Sequence, residues 1–150
     1  MSLTTKTVTG DQFANWIEPV ADLRIRVFRE FPYLYDGDVD YERRYLSRYQ
    51  SSAGSVLVLA LAGDQLVGAS TGLPLLDADT TFQAPFKDKG MDLGAIYYFG
   101  ESVLLPEFRG SGVGHRFFDE RERVANEQGY AITTFCAVVR PADHPMRPTR

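Results

Sequence analysis

The sequence predicts a single α/β domain in which strands and helices alternate along the chain. Its 150 residues fit one domain of roughly 100–200 residues, and 44% of them are hydrophobic, which is enough to form a core. Segments with the two-residue period of strands alternate with segments that have the helical period of about 3.6 residues. We find no internal repeat, low-complexity segment or linker, so residues 1–150 are expected to form one unit.

Composition excludes several classes of function. Sixteen Lys and Arg against twenty Asp and Glu leave no basic patch for nucleic acid. The longest apolar run, residues 56–62, is far shorter than the ~20 residues of a membrane-spanning helix. One Cys (Cys136) and two His (His115 and His144) form neither an internal disulfide nor a Cys-His zinc cluster, so we expect no metal. Because the opening residues lack the layout of a secretory signal, we expect a cytoplasmic protein without membrane contact.

The first elements are a strand and a helix. Residues 4–9 alternate β-branched and polar side chains, which predicts a strand that ends at Gly10. Residues 1–3 are consistent with a vector-derived start. Asp11 is a candidate helix cap, and Pro19 leaves two interpretations open: a kinked helix, or a short turn before a helix whose first turn contains Pro19. Apolar residues at intervals of three and four mark the buried face of this helix: Phe13, Trp16, Ile17, Val20, Leu23, Val27 and Phe31.

A second helix and a hairpin follow. Pro32 ends the first helix, and a loop leads to a helix that carries tyrosines at a spacing of four and has Asp38 or Asp40 as its cap. Two strands, 55–62 and 66–75, flank a Gly-Asp pair and are expected to pair antiparallel. Residues 76–93 form a long connection with a short helix around 82–86.

The last third begins with a strand over residues 95–105, which Pro106 ends. A glycine-rich turn leads directly into a helix that ends at Gly129, with Val113, Phe117 and Val124 on its buried face. Its residues 120–123, Glu-Arg-Glu-Arg, are expected to face water. Residues 131–139 read as a strand with Cys136 packed inside it, and the proline-rich tail 140–150 as irregular structure.

The glycine-rich turn is the strongest functional signal. Glycines let a backbone approach a ligand closely, and the N–H groups in the first turn of a helix favour phosphate oxygens. The segment Arg109-Gly-Ser-Gly-Val-Gly therefore predicts an anion site. A Rossmann fingerprint would need glycine at His115 or Phe117, and a P-loop would need Gly-Lys-Ser/Thr where Gly114 is followed by His-Arg. Both of these families are excluded.

The spacing Arg109-x-x-Gly112-x-Gly114 after Leu104-x-Pro106 does fit another family. It resembles the pyrophosphate-binding signature of the GNAT superfamily of acetyl-CoA-dependent N-acetyltransferases. The order of elements over residues 4–139 is also similar to that superfamily. The resemblance implies an α+β fold with a mixed, mostly antiparallel central sheet and helices on both faces. A purely structural glycine turn is the alternative.

The resemblance also implies where acetyl-CoA binds. Amides in the first turn of the helix would cradle the pyrophosphate, and the pantetheine arm would pair with the preceding strand where strands 96–105 and 131–139 splay apart. A backbone N–H near Leu104 would polarise the thioester carbonyl. The coenzyme-binding residues are then Val103, Leu104, Leu105, Arg109, Gly110, Ser111, Gly112, Val113, Gly114 and His115.

Glu101 is the candidate general base. It is the only acidic or basic residue between Asp92 and Glu107, and alternation places it on the face of Tyr97 and Phe99. A protonated amine cannot attack a thioester, so an acetyltransferase needs a group that removes a proton. Glu101 is similarly placed to the fourth-strand glutamate that serves as base in several members of the superfamily. A structural carboxylate, solvated or paired with an arginine of the first helix, is the alternative.

Two further features border the expected acceptor site. Tyr98 is a candidate acid that would protonate the leaving thiolate, with a core tyrosine as the alternative. An acidic segment, residues 36–42, lies in a region that borders the acceptor in the superfamily and would attract a cationic amine. Helix capping and solvation explain the same acidic residues.

The chain departs from the superfamily at its end. The superfamily fold usually continues after the fifth strand with a helix and two more strands, and residues 140–150 show no such pattern. We expect the last strand to leave an apolar edge that favours association, for example as a homodimer. The predicted function is direct transfer of acetyl from acetyl-CoA to a primary amine. A coenzyme A-binding module without catalysis and a plain interaction protein remain alternatives.

Overall fold

The computed structural model describes residues 3–29 and 37–135, and within them the chain forms one five-stranded sheet. The strands follow the order of the sequence across the sheet, and every neighbouring pair is antiparallel except the last, which is parallel. The predicted mixed, mostly antiparallel sheet is therefore confirmed. The strands are β1 (Leu3–Val8), β2 (Val56–Ala62), β3 (Gln65–Pro74), β4 (Ile96–Leu104) and β5 (Ile132–Phe135).

Helices cover both faces of this sheet, as predicted. They are α1 (Ile17–Phe28), α2 (Val39–Ser51), α3 (Thr80–Asp88) and α4 (Val113–Glu127). Neighbouring residues of β4 point to opposite faces: Tyr98 stacks on Phe82 of α3, whereas Phe99 packs on Phe118 of α4. Helices α1 and α2 lie on the same face as α3, because their side chains also approach the Tyr98 side of the sheet.

The structure decides between the two interpretations of Pro19. A 3-10 segment, Gly10–Trp16, precedes α1, and Pro19 lies in the first turn of α1, where its missing N–H group leaves no hydrogen bond unmade. The predicted cap at Asp11 is wrong, because Asp11 lies inside the 3-10 segment and no side chain caps that segment. Phe31, which was predicted to extend the buried face, lies outside the described residues.

The elements around the hairpin agree with the sequence. Asp38 is the cap of α2, and its carboxylate accepts hydrogen bonds from the N–H groups of Asp40 (2.9 Å) and Tyr41 (3.2 Å). The two hairpin strands pair antiparallel through the Gly-Asp turn. The helix in the long connection is longer than predicted, since it begins at Thr80 behind an Asp79 cap.

A β-bulge in β4 reverses the side-chain alternation on which the placement of Glu101 rested. Ser70 of β3 lies opposite Ser102, but Gly72 lies opposite Phe99, so two steps along β3 match three steps along β4. The extra residue turns Glu101 towards α1 and α2, away from the face that Phe99 occupies. The prediction that Glu101 shares a face with Tyr97 and Phe99 is therefore wrong.

Arg121 is buried, although residues 120–123 were all predicted to face water. Only 1% of its surface is accessible, and its guanidinium lies over the rings of Phe99 and Phe118. It donates hydrogen bonds to the carbonyl oxygens of Thr71 and Gly100, each at 3.2 Å, on the two strands that meet at the bulge. Burial lowers the pKa of Arg121 to about 10, so it remains charged at neutral pH. Arg121 therefore fastens the bulge to α4.

The far edge of the described sheet is β5. Ile132 and Phe135 on this strand are exposed, as is Phe118 beside them. Association through this edge stays a prediction. Cys136, the rest of the expected strand up to residue 139, and the tail 140–150 with His144 lie outside the described residues. None of the helices within residues 3–29 and 37–135 has the length and apolar content needed to cross a bilayer.

We expect Arg121→Met to lower the free energy of unfolding by about 2 kcal/mol, because the carbonyls of Thr71 and Gly100 lose their donor inside the protein. The matched control is Arg123→Met, two residues along the same helix, where the side chain is 49% exposed and pairs only with surface carboxylates. The control should change stability by less than about 0.5 kcal/mol. Urea denaturation measures both, and equal stabilities of the two variants would contradict the role of Arg121.

Candidate active site

The glycine-rich turn presents an open helix N-terminus. Gly110 and Gly112 have positive φ angles of 79° and 87°, a conformation that side-chain-bearing residues rarely adopt. Gly112 is the residue before α4, so no side chain caps the first-turn N–H groups of that helix. A Cβ atom at either glycine, or at Gly114, would meet no other atom within 4 Å. The turn therefore leaves both the space and the N–H donors that an anion would use.

The end of β4 lies against this turn. Arg109 Nε donates a hydrogen bond to the carbonyl of Leu104 at 3.1 Å, which ties the turn to the strand. Leu105 uses both of its backbone groups within the fold: its N–H donates to Val67 and its carbonyl accepts from Phe108. In an antiparallel pair, hydrogen-bonded and non-hydrogen-bonded residues alternate along each strand. Because Leu105 is hydrogen-bonded to β3, the backbone groups of its neighbour Leu104 point away from β3. Leu104 is thus the predicted pantetheine contact whose N–H group points away from β3 and meets no acceptor among the described residues.

Glu101 lies at the bulge, where three side chains on the α1 and α2 face of the sheet contact it. Arg24 Nη1 is 2.6 Å from Glu101 Oε2, and Thr71 Oγ1 donates to the same oxygen at 3.1 Å. The hydroxyl of Tyr45 donates to Glu101 Oε1. Gly100, next to Glu101, has no room for a Cβ, which would overlap the hydroxyl groups of Thr71 and Tyr49. The structure therefore contains the ion pair with an arginine of the first helix that we considered as the structural alternative.

Arg24 holds a second carboxylate. Its Nε donates to Glu42 Oε2 at 2.7 Å, and Glu42 is completely buried, with Oε1 accepting no hydrogen bond from the described residues. Burial raises the pKa of Glu42, and Arg24 does not fully offset that effect. Burial alone would raise the pKa of Glu101 as well, but Arg24 and the Tyr45 hydroxyl outweigh it and hold the value below 4.5. The same arginine therefore faces two carboxyl groups whose pKa values are shifted in opposite directions, down for Glu101 and up for Glu42.

A cavity of about 340 Å³ opens beside this cluster, between α2, α3 and the sheet. Tyr45 and Tyr49 line it and link it to Glu101, since Tyr45 is hydrogen-bonded to both Tyr49 and Glu101. Tyr98, the predicted acid, also lines it, with its ring stacked 5.0 Å from that of Phe82. The lining residues are Tyr41, Arg44, Tyr45, Arg48, Tyr49, Leu73, Ala78, Asp79, Thr81, Phe82 and Tyr98.

The described acidic side chains of residues 36–42, which were expected to attract a cation, do not line this cavity. Asp38 caps α2, Asp40 pairs with Arg43, and Glu42 is buried against Arg24. Asp36 lies outside the described residues. Within the described ranges, no group of three or more His, Cys, Asp or Glu side chains is arranged to hold a metal ion.

Sequence reasoning included an arginine of the first helix as a possible partner of Glu101, but it missed Tyr45 and Thr71. The tyrosine spacing on α2 was the available signal, because a row of aromatic hydroxyl groups on one helix face is more polar than a plain core requires. Nothing comparable marks Thr71, whose contact depends on the register of β3 against β4.

Comparison with known proteins was made by sequence and by structure. No protein-family profile matches the sequence, and no curated protein matches it significantly. Among solved structures, the aminoglycoside N-acetyltransferase AAC(6')-Iy in complex with CoA is similar with a TM-score of 0.65 and 14% identity, over 91% of this chain and 78% of that chain. A ribosomal-protein-alanine N-acetyltransferase from Brucella melitensis biovar Abortus 2308 has a TM-score of 0.60 and 12% identity, over 95% of this chain and 85% of that chain.

A third similar structure is the integron cassette protein VCH_CASS6 from V. cholerae, with a TM-score of 0.62 and 16% identity, over 92% of this chain and 76% of that chain. These likenesses, at low identity, define the fold. The chain has the fold of the GNAT N-acetyltransferases, as the glycine-rich turn and the order of elements indicated.

The opposite pKa shifts of the two buried glutamates predict opposite effects of pH on stability. A carboxyl group whose pKa is lowered by folding stabilises the fold above its unfolded value of about 4.5, and this contribution is lost as pH falls through the folded value. Glu101→Gln should therefore be most destabilising near neutral pH and approach the wild type in acid. The pKa of Glu42 is raised, so the stability that Glu42 contributes is present in acid and is lost as pH rises. Glu42→Gln should therefore gain stability relative to the wild type as pH rises.

Urea denaturation of the three proteins from about pH 3 to 7 gives the comparison. Parallel pH trends for the two variants would show that Arg24 does not distinguish the two carboxylates in this way.

Proposed function

We propose that this protein transfers an acetyl group from acetyl-CoA to a primary amine in a ternary complex. The observation that carries the proposal is the juxtaposition of two sites at β4: an open helix N-terminus at one end, and a carboxylate beside a cavity at the bulge. A structure with CoA bound is among those that share this fold, which supports the coenzyme. No metal is part of the proposed reaction.

Coenzyme binding would use the turn from Arg109 to His115. The pyrophosphate would accept hydrogen bonds from first-turn amides of α4, with Gly110, Ser111, Gly112, Val113 and Gly114 supplying close backbone approach. The pantetheine arm would run along the 103–105 end of β4, where Leu104 offers the backbone groups that face away from β3. This path would lead the thioester towards the bulge.

In the proposed reaction, the amine loses a proton and its nitrogen attacks the thioester carbon. The proton passes to Glu101, with the Tyr45 hydroxyl as the link between the cavity and this carboxylate. The carbon–sulfur bond then breaks, and the thiolate takes a proton from Tyr98 on the cavity wall. The acylated nitrogen gives up its second proton, which returns Tyr98 to its neutral form. The products are the N-acetylated amine and free CoA.

One observation favours a second candidate function. The ion pair with Arg24 lowers the pKa of Glu101, and a carboxylate that is less basic than usual is a weaker proton acceptor. This favours a module that binds coenzyme A or acyl-CoA without catalysis. Calorimetric titration with acetyl-CoA, followed by an assay of thiol release with amines, separates the two functions.

The glycine turn gives a prediction on coenzyme affinity. Gly112→Val should weaken acetyl-CoA binding by at least about tenfold, because a branched side chain would stand where phosphate must approach the amides. Gly129→Val is the matched control: Gly129 lies beyond the other end of α4, has φ 86° against 87°, and its Cβ would also meet open space. Both variants carry similar backbone strain. Equal acetyl-CoA affinities of the two folded variants, measured by calorimetry, would remove the turn from the coenzyme site.

The base gives a prediction on turnover. Glu101→Gln should reduce thiol release by about 10²–10⁴-fold per folded molecule while leaving acetyl-CoA affinity unchanged. Because the pKa of Glu101 is lowered, protonation of this carboxylate should reduce the wild-type rate only in acid, and the variant should lack that contribution to the pH profile. Glu122→Gln on the exposed side of α4 is the control and should keep the full rate. A full rate in Glu101→Gln would leave Glu101 with a structural role alone.

A further inference from the structure

The cavity beside Tyr45 has a composition that suggests the chemistry of its occupant. Five aromatic rings, from Tyr41, Tyr45, Tyr49, Phe82 and Tyr98, form much of its wall. Its volume of about 340 Å³ lies at the small end of ligand sites, which run from roughly 300 to 1,000 Å³. A cavity of this size with an aromatic wall can hold one compact apolar or aromatic group.

The charges of the cavity have a net positive sign. Arg44 and Arg48 line it together with one carboxylate, Asp79. Arg48 Nη2 is 3.8 Å from Asp79 Oδ2, and the other oxygen of Asp79 accepts hydrogen bonds from the N–H and hydroxyl of Thr81. The negative charge of Asp79 is therefore compensated, and Arg44 is the lining cation for which the described residues supply no carboxylate partner.

Other carboxylates near the cavity are also engaged. Asp40 pairs with Arg43 on the outside of α2, and Glu101 is held by Arg24. A polycationic acceptor such as an aminoglycoside would therefore meet two arginines here without a matching set of free carboxylates among the described residues. An acceptor that carries its own carboxylate would instead complement Arg44.

We propose that the acceptor is a small amino acid-like molecule with an aromatic or large apolar body. Its body lies between the rings of the cavity, its carboxylate binds Arg44, and its amino group points to Tyr45 and Glu101. This assignment rests on the acetyl transfer proposed above, and it names the substrate class of the same site.

The experiment compares phenylalanine with phenylalanine amide. The two share body and amino group, but the amide lacks the negative charge and its amino group is less basic, so a preference for phenylalanine cannot come from easier deprotonation. We expect phenylalanine to have a kcat/KM in thiol release about tenfold above that of the amide, and to bind about tenfold more tightly in calorimetry with CoA present. A three-ring aminoglycoside and a short peptide with N-terminal alanine complete the panel and should react poorly.

Arg44→Gln should abolish the preference for phenylalanine over its amide. Arg43→Gln is the matched control, because Arg43 is the preceding residue of α2 but pairs with Glu18 and Asp40 outside the cavity. This control should keep the preference. Both side chains are exposed, so neither substitution should prevent folding.

The binding and turnover readouts keep the two proposals apart. Arg44-dependent binding of phenylalanine without thiol release from any amine would support the ligand class assigned to the cavity and overturn acetyl transfer. Equal or better binding of the amide, a better reaction with the aminoglycoside or the peptide, no binding of phenylalanine, or a preference that survives Arg44→Gln would each overturn the acceptor class.

Discussion

The guanidinium of Arg24 is the point on which the candidate site depends. It connects α1 to Glu42 of α2 and to Glu101 of β4, with contacts of 2.7 and 2.6 Å. Removing three charged groups from water is unfavourable unless each finds a partner, so the cluster is stable only when all three elements are in place. The same contacts fix the position of Glu101 beside Tyr45, and thereby connect packing of the two helices to the chemistry of the cavity.

The bulge of β4 is held from both faces of the sheet. On one face, Arg24 and Thr71 hold the side chain of Glu101; on the other, Arg121 donates to the carbonyls of Thr71 and Gly100. Gly100 is required between them because a Cβ would overlap neighbouring hydroxyl groups. Because side chains switch faces at the bulge, β4 can direct the carboxylate of Glu101 towards the layer of α1 and α2. Further along the strand, the backbone groups of Leu104 point away from β3.

Local patterns explain why much of this could be predicted. The hairpin, the helix caps of α2 and the glycine turn depend on a few adjacent residues, and the structure contains all three. The side on which Glu101 lies could not be predicted, because the bulge is defined by the register against β3. Arg121 is different: it follows Phe117 by four residues and precedes Val124 by three, so helical spacing placed it on the buried face although its charged neighbours suggested water.

The ion pair that stabilises the site also limits the chemistry that Glu101 can perform. With its pKa held below 4.5, Glu101 stays ionised at neutral pH but gains little by taking a proton from a strongly basic amine. Amino groups less basic than a lysine side chain have a larger neutral fraction in solution, so they depend less on a carboxylate to remove their proton. An α-amino group meets that condition, and an α-amino acid also brings the carboxylate that Arg44 would bind. The electrostatics of Glu101 and of the cavity rim therefore favour the same proposed class of acceptor, although they arise from different arginines.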